Sequence, residues 1–144
     1  MGGGHNRSEI KEFYGACEED STRTEPFVLD ADEPPVLLGE DRGANPVEYV
    51  LHALAACMIT TLVYHAAAQG INIESVDSEL EGDLDARGFL RLDENIRKGY
   101  QNIRVKFNVK SDATPAQLAE LARLSPIFDI VTNSVPVAVE MAAV

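Results

Sequence analysis

One segment constrains the fold of this chain more than any other: the apolar run between Pro46 and Gly70. Asn45 suits the N-cap of a helix, Pro46 suits its first position, and Glu48 can reach back to the backbone of the cap. Gly70 suits the left-handed residue that ends a helix. We therefore predict one long helix that continues through Gln69. Because this helix is apolar on nearly every face, it should be covered on several sides.

The flanking segments have the patterns of strands, short helices and an ordered loop, which together predict an α+β fold with a mostly antiparallel sheet packed on the long helix. The predicted strands are 9–16 and 25–30 (a hairpin around a turn at 18–21), 71–82, 100–110 and 135–141; the predicted helices are 115–124 and 127–133; the loop is 31–44, and 83–98 is irregular. Only residues 1–8 are predicted to be loose or tag-like. The rest, 9–144, is predicted to be a single domain.

Composition excludes several classes of function. The 144 residues carry 24 acidic and 12 basic side chains, a formal charge of −12, which disfavours a nucleic-acid partner or adhesion to an anionic membrane. The N-terminus lacks the apolar segment of a signal peptide, and polar residues interrupt the long apolar run. Two cysteines are too few for a disulfide-stapled secreted scaffold, so we expect a cytoplasmic protein.

A cysteine is the strongest candidate for chemistry. The three histidines do not form a ligand pattern, so we expect no metal, and no phosphate or dinucleotide motif indicates a cofactor. Cys57 lies in the middle of the predicted helix, where a buried structural thiol is the plain alternative. A reactive thiolate there would need an arginine, a lysine or a protonated histidine brought in from elsewhere in the fold.

Gly43-Ala-Asn-Pro-Val-Glu-Tyr49, followed by Leu51-His-Ala-Leu-Ala-Ala-Cys57, resembles the central-helix signature of the OsmC/Ohr family of thiol-dependent hydroperoxide reductases. The resemblance continues in Gly70-Ile-Asn-Ile73, in Ser125-Pro-Ile-Phe128 and in Val135-Pro-Val137. It implies an intertwined homodimer in which sheets from both chains wrap two central helices. It also implies an antioxidant, peroxiredoxin-like activity in the response to oxidative stress.

By position, the resemblance makes Cys57 the peroxidatic residue, whose thiolate attacks an organic hydroperoxide and becomes a sulfenic acid. In the family a second cysteine, in a Cys-Pro step, then forms a disulfide that thiols such as dihydrolipoyl groups reduce. This chain has Ser125 at that step, so the position of the resolving cysteine is lost. An external thiol, small or protein-bound, would have to resolve the sulfenic acid instead.

This chain departs from the family pattern at the charged partners of the cysteine. The family acid directly follows Asn-Pro, where this chain has Val47; Glu48 is one place later, about 180° around the helix from Cys57 and about 13 Å along its axis. A capping role accounts for Glu48 without catalysis, although a contact across a dimer would restore a catalytic one. Arg23 is our first candidate for the activating arginine; Arg7 and Arg42 are the others.

Two further features bear on function. Cys17, beside the predicted hairpin turn, is either an idle surface thiol or a substitute resolving cysteine. Four residues lie within about 40° of Cys57 on a helical wheel and predict a pocket for an organic hydroperoxide, or equally plain packing: Val50, Ala53, Thr61 and Tyr64. The leading function is a one-cysteine hydroperoxide reductase. The alternatives are an inactive dimer of the same fold that binds a small ligand, and a purely structural dimer.

Overall fold

The structure, a computed structural model, describes residues 4–15 and 17–143. Its elements in chain order are β1 (Asn6–Ile10), β2 (Phe13–Gly15), β3 (Glu18–Asp20), β4 (Phe27–Ala31), a 3-10 turn (Pro35–Leu37), α1 (Pro46–Ala68), β5 (Ile73–Asp83), α2 (Ala86–Phe89), β6 (Asn102–Ser111), α3 (Pro115–Ala122) and α4 (Pro126–Thr132). The strand pairs are antiparallel, so the predicted α+β class is confirmed.

The chain divides into two compact units, one up to Val50 and one from Leu51 onward. Helix α1 begins in the first unit and continues through the second. Each unit is described by itself below. The prediction of a single domain over 9–144 stays a prediction.

In the first unit, the N-terminal hairpin is longer and turns earlier than the sequence predicted. Strand β1 pairs with β4, and β2 pairs with β3. The predicted turn at 18–21 is wrong, because residues 18–20 form β3. Gly15 lies opposite Glu18 in the register of these strands. Cys17, directly before β3, has a φ of 67°, which the tight turns of hairpins often require. The end of the predicted strand at residue 16 lies outside the described residues.

The start of the chain is also more ordered than predicted. Strand β1 includes residues 6–8, so the prediction of a loose segment over 1–8 is wrong for that stretch, while residues 1–3 lie outside the described residues. Arg7 lies opposite Asp30 in the strand register and donates two hydrogen bonds to its carboxylate, at 2.9 and 3.1 Å. This hydrogen-bonded guanidinium holds the pKa of Asp30 below its ordinary value. These hydrogen bonds help to hold the short polar strand β1 against β4.

The predicted ordered loop is organised around a buried carboxylate. Asp32 is 1% exposed, and its side chain accepts hydrogen bonds from the backbone N–H groups of Glu33, Glu40 and Arg42 at 2.9, 3.1 and 3.3 Å. Burial raises the pKa of Asp32, but these three donors outweigh it and hold the pKa below its ordinary value. The backbone of the loop is therefore held by hydrogen bonds to the Asp32 carboxylate.

Both predicted ends of the long helix are confirmed. The Asn45 side chain accepts from the Val47 N–H at 2.9 Å, and the Glu48 carboxylate accepts from the Asn45 N–H at 2.8 Å, so the two residues cap each other reciprocally. At the other end, Gly70 has a φ of +73° and its N–H donates to the Ala67 carbonyl. The next N–H, of residue 71, donates five residues back, which completes a Schellman motif.

Within the second unit, helix α1 buries one stripe rather than its whole circumference. The buried side chains Leu54, Met58, Leu62 and Ala66 recur every four residues. By length and composition alone the helix could cross a membrane, but this stripe belongs to the packed core of the unit. The described part of the chain therefore covers the helix on one side and not on several.

Strands β5 and β6 supply the sheet on which this stripe packs. Strand β6 alternates strictly between half-buried and exposed residues, as the sequence predicted. Its inward residues are Ile103, Val105, Phe107 and Val109, all of which pack against the buried cluster. On the outer face, cross-strand ion pairs join basic residues of β6 to acidic residues of β5. The acidic outward positions of β5 are thus partly neutralised.

The C-terminal third confirms two helices and corrects one strand. Helix α3 begins with a capping box at Thr114, and α4 begins at Pro126, one residue earlier than predicted. The predicted strand 135–141 is wrong: no strand is assigned there, and Val137 and Met141 are 78% and 92% exposed. Its alternating pattern is that of a strand, but a strand also needs a paired edge, which the described chain does not supply.

Replacing Leu62 with alanine tests the packing of the second unit. Leu62 is 1% exposed within the core, so we expect the free energy of unfolding to fall by about 2–5 kcal/mol, as measured by urea denaturation. Val137→Ala is the control, because its side chain is 78% exposed, and it should change stability by less than about 0.5 kcal/mol. Equal losses in the two variants would contradict this description of the core.

Candidate active site

The second unit brings the start of helix α4 to the middle of helix α1. Ser125 is the N-cap of α4 and is 1% exposed, and its Oγ accepts a hydrogen bond from the Phe128 N–H at 3.2 Å. Pro126, the first helical residue, has no N–H. Among the first three residues of α4, only Ile127 therefore has an N–H that is not bonded to the Ser125 side chain. Such N–H groups need a partner outside the helix.

The partner is the thiol of Cys57. It is half-buried and receives hydrogen bonds from the Ser125 hydroxyl, the Ile127 N–H and the hydroxyl of Thr61, one turn further along α1. Burial raises the pKa of Cys57, but the three hydrogen bonds outweigh it, and the pKa lies below its ordinary value. The groups of the second unit that lower the pKa of this thiol are neutral donors.

Such an arrangement is suited to nucleophilic chemistry at sulfur. The thiolate is the reactive form of cysteine, and a lowered pKa increases its population near neutral pH. Three donors that face the sulfur also suit an oxygen added to it, because a sulfenate oxygen accepts hydrogen bonds as well. Because Cys57 is partly exposed, a small reactant can reach its side chain. An all-aliphatic shell, typical of an inert thiol, is not what surrounds this sulfur.

The arginines that the sequence put forward are engaged within the first unit. Arg23 donates to the carbonyls of Ile10 and Lys11 at 3.2 and 3.3 Å, and its guanidinium lies 4.3 Å from the centroid of the Phe27 ring. Arg7 is held by the carboxylate of β4 described above, and Arg42 forms an ion pair with Glu40. The role of Arg23 as an activating residue stays a prediction.

Two other predicted site residues also lie in the first unit. Glu48 uses its carboxylate to cap α1, which is the contact that the capping interpretation predicted. Its catalytic role stays a prediction. Cys17 is exposed in the turn between β2 and β3 and has no disulfide partner among the described residues. Its role as a substitute resolving cysteine is likewise a prediction.

The four predicted pocket residues have different surroundings. Thr61 contacts the Cys57 thiol, whereas Tyr64 is 72% exposed, and Ala53 and Val50 are also exposed. A separate cavity of about 530 Å³ opens elsewhere in the second unit. Its lining is mostly apolar and comes from α1, β6 and α3: Leu62, Val105, Phe107, Asn108, Val109, Pro115, Leu118, Ala119 and Ala122.

Sequence reasoning missed the Ile127 N–H and the donor role of Ser125. The local signal was present, because Ser-Pro is the pattern of an N-cap followed by a first helical residue. What the pattern does not contain is that this helix start meets Cys57, a contact between residues 68 positions apart in the chain.

Comparison with known proteins identifies the family. Residues 39–140 match the family described as OsmC-like protein. The chain belongs to this family. The match contains α1, the Cys57 site and the three shorter helices, so the resemblance found in the sequence is confirmed. A search of curated proteins found no match.

Solved structures support the same fold. An OsmC-like protein from Mycoplasma pneumoniae superimposes with a TM-score of 0.63 at 16% identity, over 93% of this chain and 91% of that one. A Legionella pneumophila protein, described as an organic hydroperoxide resistance protein OsmC, predicted redox protein, regulator of sulfide bond formation, gives 0.54 at 20% identity, over 88% of each chain. At these identities the likeness establishes the OsmC-like fold with its long central helix.

Proposed function

We propose that this OsmC-family protein reduces organic hydroperoxides with Cys57 as its peroxidatic residue and with an external thiol as reductant. The observation that carries the proposal is the set of three donors on the Cys57 sulfur, which lowers the pKa of that thiol despite its partial burial. Family membership supports the redox class. The cytoplasm, where thiols are kept reduced, is the proposed compartment.

The proposed reaction has two stages. The Cys57 thiolate attacks the distal oxygen of the hydroperoxide, an S–O bond forms and the O–O bond breaks. The electron pair leaves on the alkoxide, which takes a proton from water to become the alcohol, and Cys57 becomes a sulfenic acid. One external thiol then displaces water to form a mixed disulfide, and a second thiol releases Cys57 as a thiol and leaves as a disulfide. Ser125 cannot take the place of these thiols.

A homodimer is part of the proposal. The face of α1 opposite its buried stripe exposes apolar side chains, among them Val63 at 39% and Tyr64 at 72%. A second copy packed on this face would cover the helix on the further side that its apolar sequence predicts. Disulfide mapping after mild oxidation tests the resolving role proposed for Cys17: a Cys17–Cys57 bridge supports it, and its absence contradicts it.

The test is turnover. Purified protein is mixed with cumene or tert-butyl hydroperoxide and with dihydrolipoamide or dithiothreitol, and hydroperoxide loss is measured. We expect thiol-dependent consumption, faster with the organic hydroperoxides than with hydrogen peroxide, and no activity after prior alkylation with iodoacetamide. A rate equal to that of thiol and hydroperoxide without protein would contradict the proposal.

The cavity favours a second candidate function, the binding of a small apolar ligand without catalysis. Its volume of about 530 Å³ is within the range of small-molecule sites, and Cys57 is not among its lining residues. Native mass spectrometry of the purified protein distinguishes the two functions. A retained apolar molecule together with an absence of turnover would favour binding.

A further inference from the structure

The connection between β5 and β6 presents an ordered apolar surface. Phe89, Leu90 and Leu92 are 67%, 56% and 72% exposed. The backbone that carries them is nevertheless held in place, because Gly88 is buried and a β-carbon there would lie 2.4 Å from the Arg97 carbonyl oxygen. The Leu92 N–H also donates to a carbonyl of this connection at 2.8 Å. Apolar side chains exposed together on an ordered segment are typical of an interaction surface.

This connection, residues 84–98, is a basic loop in an acidic chain. It carries four basic and three acidic side chains, whereas the rest of the chain carries eight basic and 21 acidic ones. Arg87 is neutralised within the loop, where it forms an ion pair with Asp85 at 2.6 Å. Arg97 and Lys98 are exposed and form no ion pair among the described residues. The basic loop therefore offers unpaired cations beside apolar side chains.

The β2–β3 hairpin of the first unit lacks cover for its aromatic side chains. Its strands pair over three residues each, and a two-stranded hairpin is marginally stable at best without further packing. Phe13 and Tyr14 are 59% and 74% exposed. No apolar side chain in the described part of the first unit is buried. The hairpin therefore needs a partner surface that its own unit does not supply.

The charge of this hairpin is complementary to that of the basic loop. The strand register places Glu19 opposite Tyr14 and Asp20 opposite Phe13. Glu18 and Glu19 are exposed, and within the part of the chain that the structure describes neither forms an ion pair. The hairpin thus offers unpaired carboxylates beside aromatic rings. Complementary charge of this kind steers two surfaces together, and the apolar side chains exclude water once they meet.

We propose that the β2–β3 hairpin of one copy docks on the basic loop of a second copy. The proposal rests on the homodimer of the proposed function and assigns to it a contact beyond the exposed face of α1. In a two-fold dimer each copy supplies one hairpin and one loop, so the contact is made twice and the assembly closes. The net charge of the chain opposes the association of two copies, and this pairing offsets that repulsion where they meet.

Charge reversal on each surface is the first part of the test. The hairpin variant is Glu18→Lys with Glu19→Lys, and the loop variant is Arg97→Glu with Lys98→Glu. Because every reversed charge acts in both contacts, we expect each variant alone to raise the dissociation constant of the dimer by about 10-fold or more, measured by sedimentation velocity at low ionic strength. Asp77→Lys with Glu120→Lys, the matched control for the hairpin variant, should not weaken the dimer.

Mixing the two variants separates a contact between copies from a contact within one copy. In a mixed dimer, one contact pairs the reversed hairpin with the reversed loop, and the other pairs the two unchanged surfaces. Both contacts are then complementary, so we expect a mixed dimer with the wild-type dissociation constant. Native mass spectrometry, with one variant isotopically labelled, identifies the mixed species. Circular dichroism checks that each variant is folded.

Three results would overturn the proposal: a monomeric wild type, wild-type affinity in either variant alone, or a mixture that stays dissociated. Turnover of the wild type judges the proposed function separately. Hydroperoxide consumption by the wild type, together with a mixture that does not associate, would refute only this contact. A mixture that associates, in a protein that consumes no hydroperoxide, would refute the proposed function and leave the contact standing.

Discussion

Replacing Cys57 with serine is expected to lower thiol-dependent hydroperoxide consumption by about 10³-fold or more. The proposed nucleophile is a thiolate, and a serine hydroxyl is not ionised near neutral pH, so the first bond-forming step is lost. The substitution keeps a small polar side chain that can still accept from Ser125 and Ile127, which preserves the packing of α1 on α4. Hydroperoxide consumption at saturating dithiothreitol is the measurement.

Cys17→Ser is the matched control for this variant, because it removes the other thiol of the chain and keeps Cys57. Its first turnover, measured without added thiol, should match that of the wild type. If Cys57→Ser consumed hydroperoxide as fast as the wild type, while remaining folded, the peroxidatic role of Cys57 would be wrong.

Ser125→Cys is expected to convert the site to a two-cysteine site. Hydrogen bonding by Ser125 is one of the causes that lower the pKa of the Cys57 thiol, so we expect a sulfur at position 125 to react with a sulfenic acid on Cys57. Disulfide formation requires close, facing β-carbons and an S–S length of about 2.05 Å, so the variant tests how closely these two positions approach. We expect near-complete formation of an intramolecular disulfide after one equivalent of cumene hydroperoxide.

Mass spectrometry under non-reducing conditions detects this bond as a cross-linked peptide pair. In the wild type the same treatment should leave no bridge at position 125 and should give a sulfenic acid that dimedone traps. A Ser125→Cys variant that is oxidised at Cys57 but forms no bridge would show that the two side chains do not meet as described.

The parts of the fold that local chemistry determines could be predicted from the sequence. The caps of α1 depend on Asn45, Glu48 and Gly70, which act on backbone groups within a few residues of themselves, and all three behave as expected. The alternation of apolar and polar residues in β6 likewise predicts which of them face the core and which face solvent. The structure of such elements is determined by residues that are close to one another in the sequence.

Other features depend on partners that are distant in sequence, and there prediction failed. The short polar strand β3 looks like a turn until its pairing with β2 is known. The segment 135–141 has a strand pattern without a paired edge. The donors on Cys57 come from a helix start 68 positions later in the chain, and only the family resemblance had indicated that position 125 matters.

The most direct test of the account is the fate of the Cys57 sulfur after one equivalent of cumene hydroperoxide, in the absence of thiol and in the presence of dimedone. The account predicts a dimedone adduct on the Cys57 peptide, formed together with a matching amount of the alcohol. A Cys57 peptide that remains unmodified while the hydroperoxide persists would contradict it.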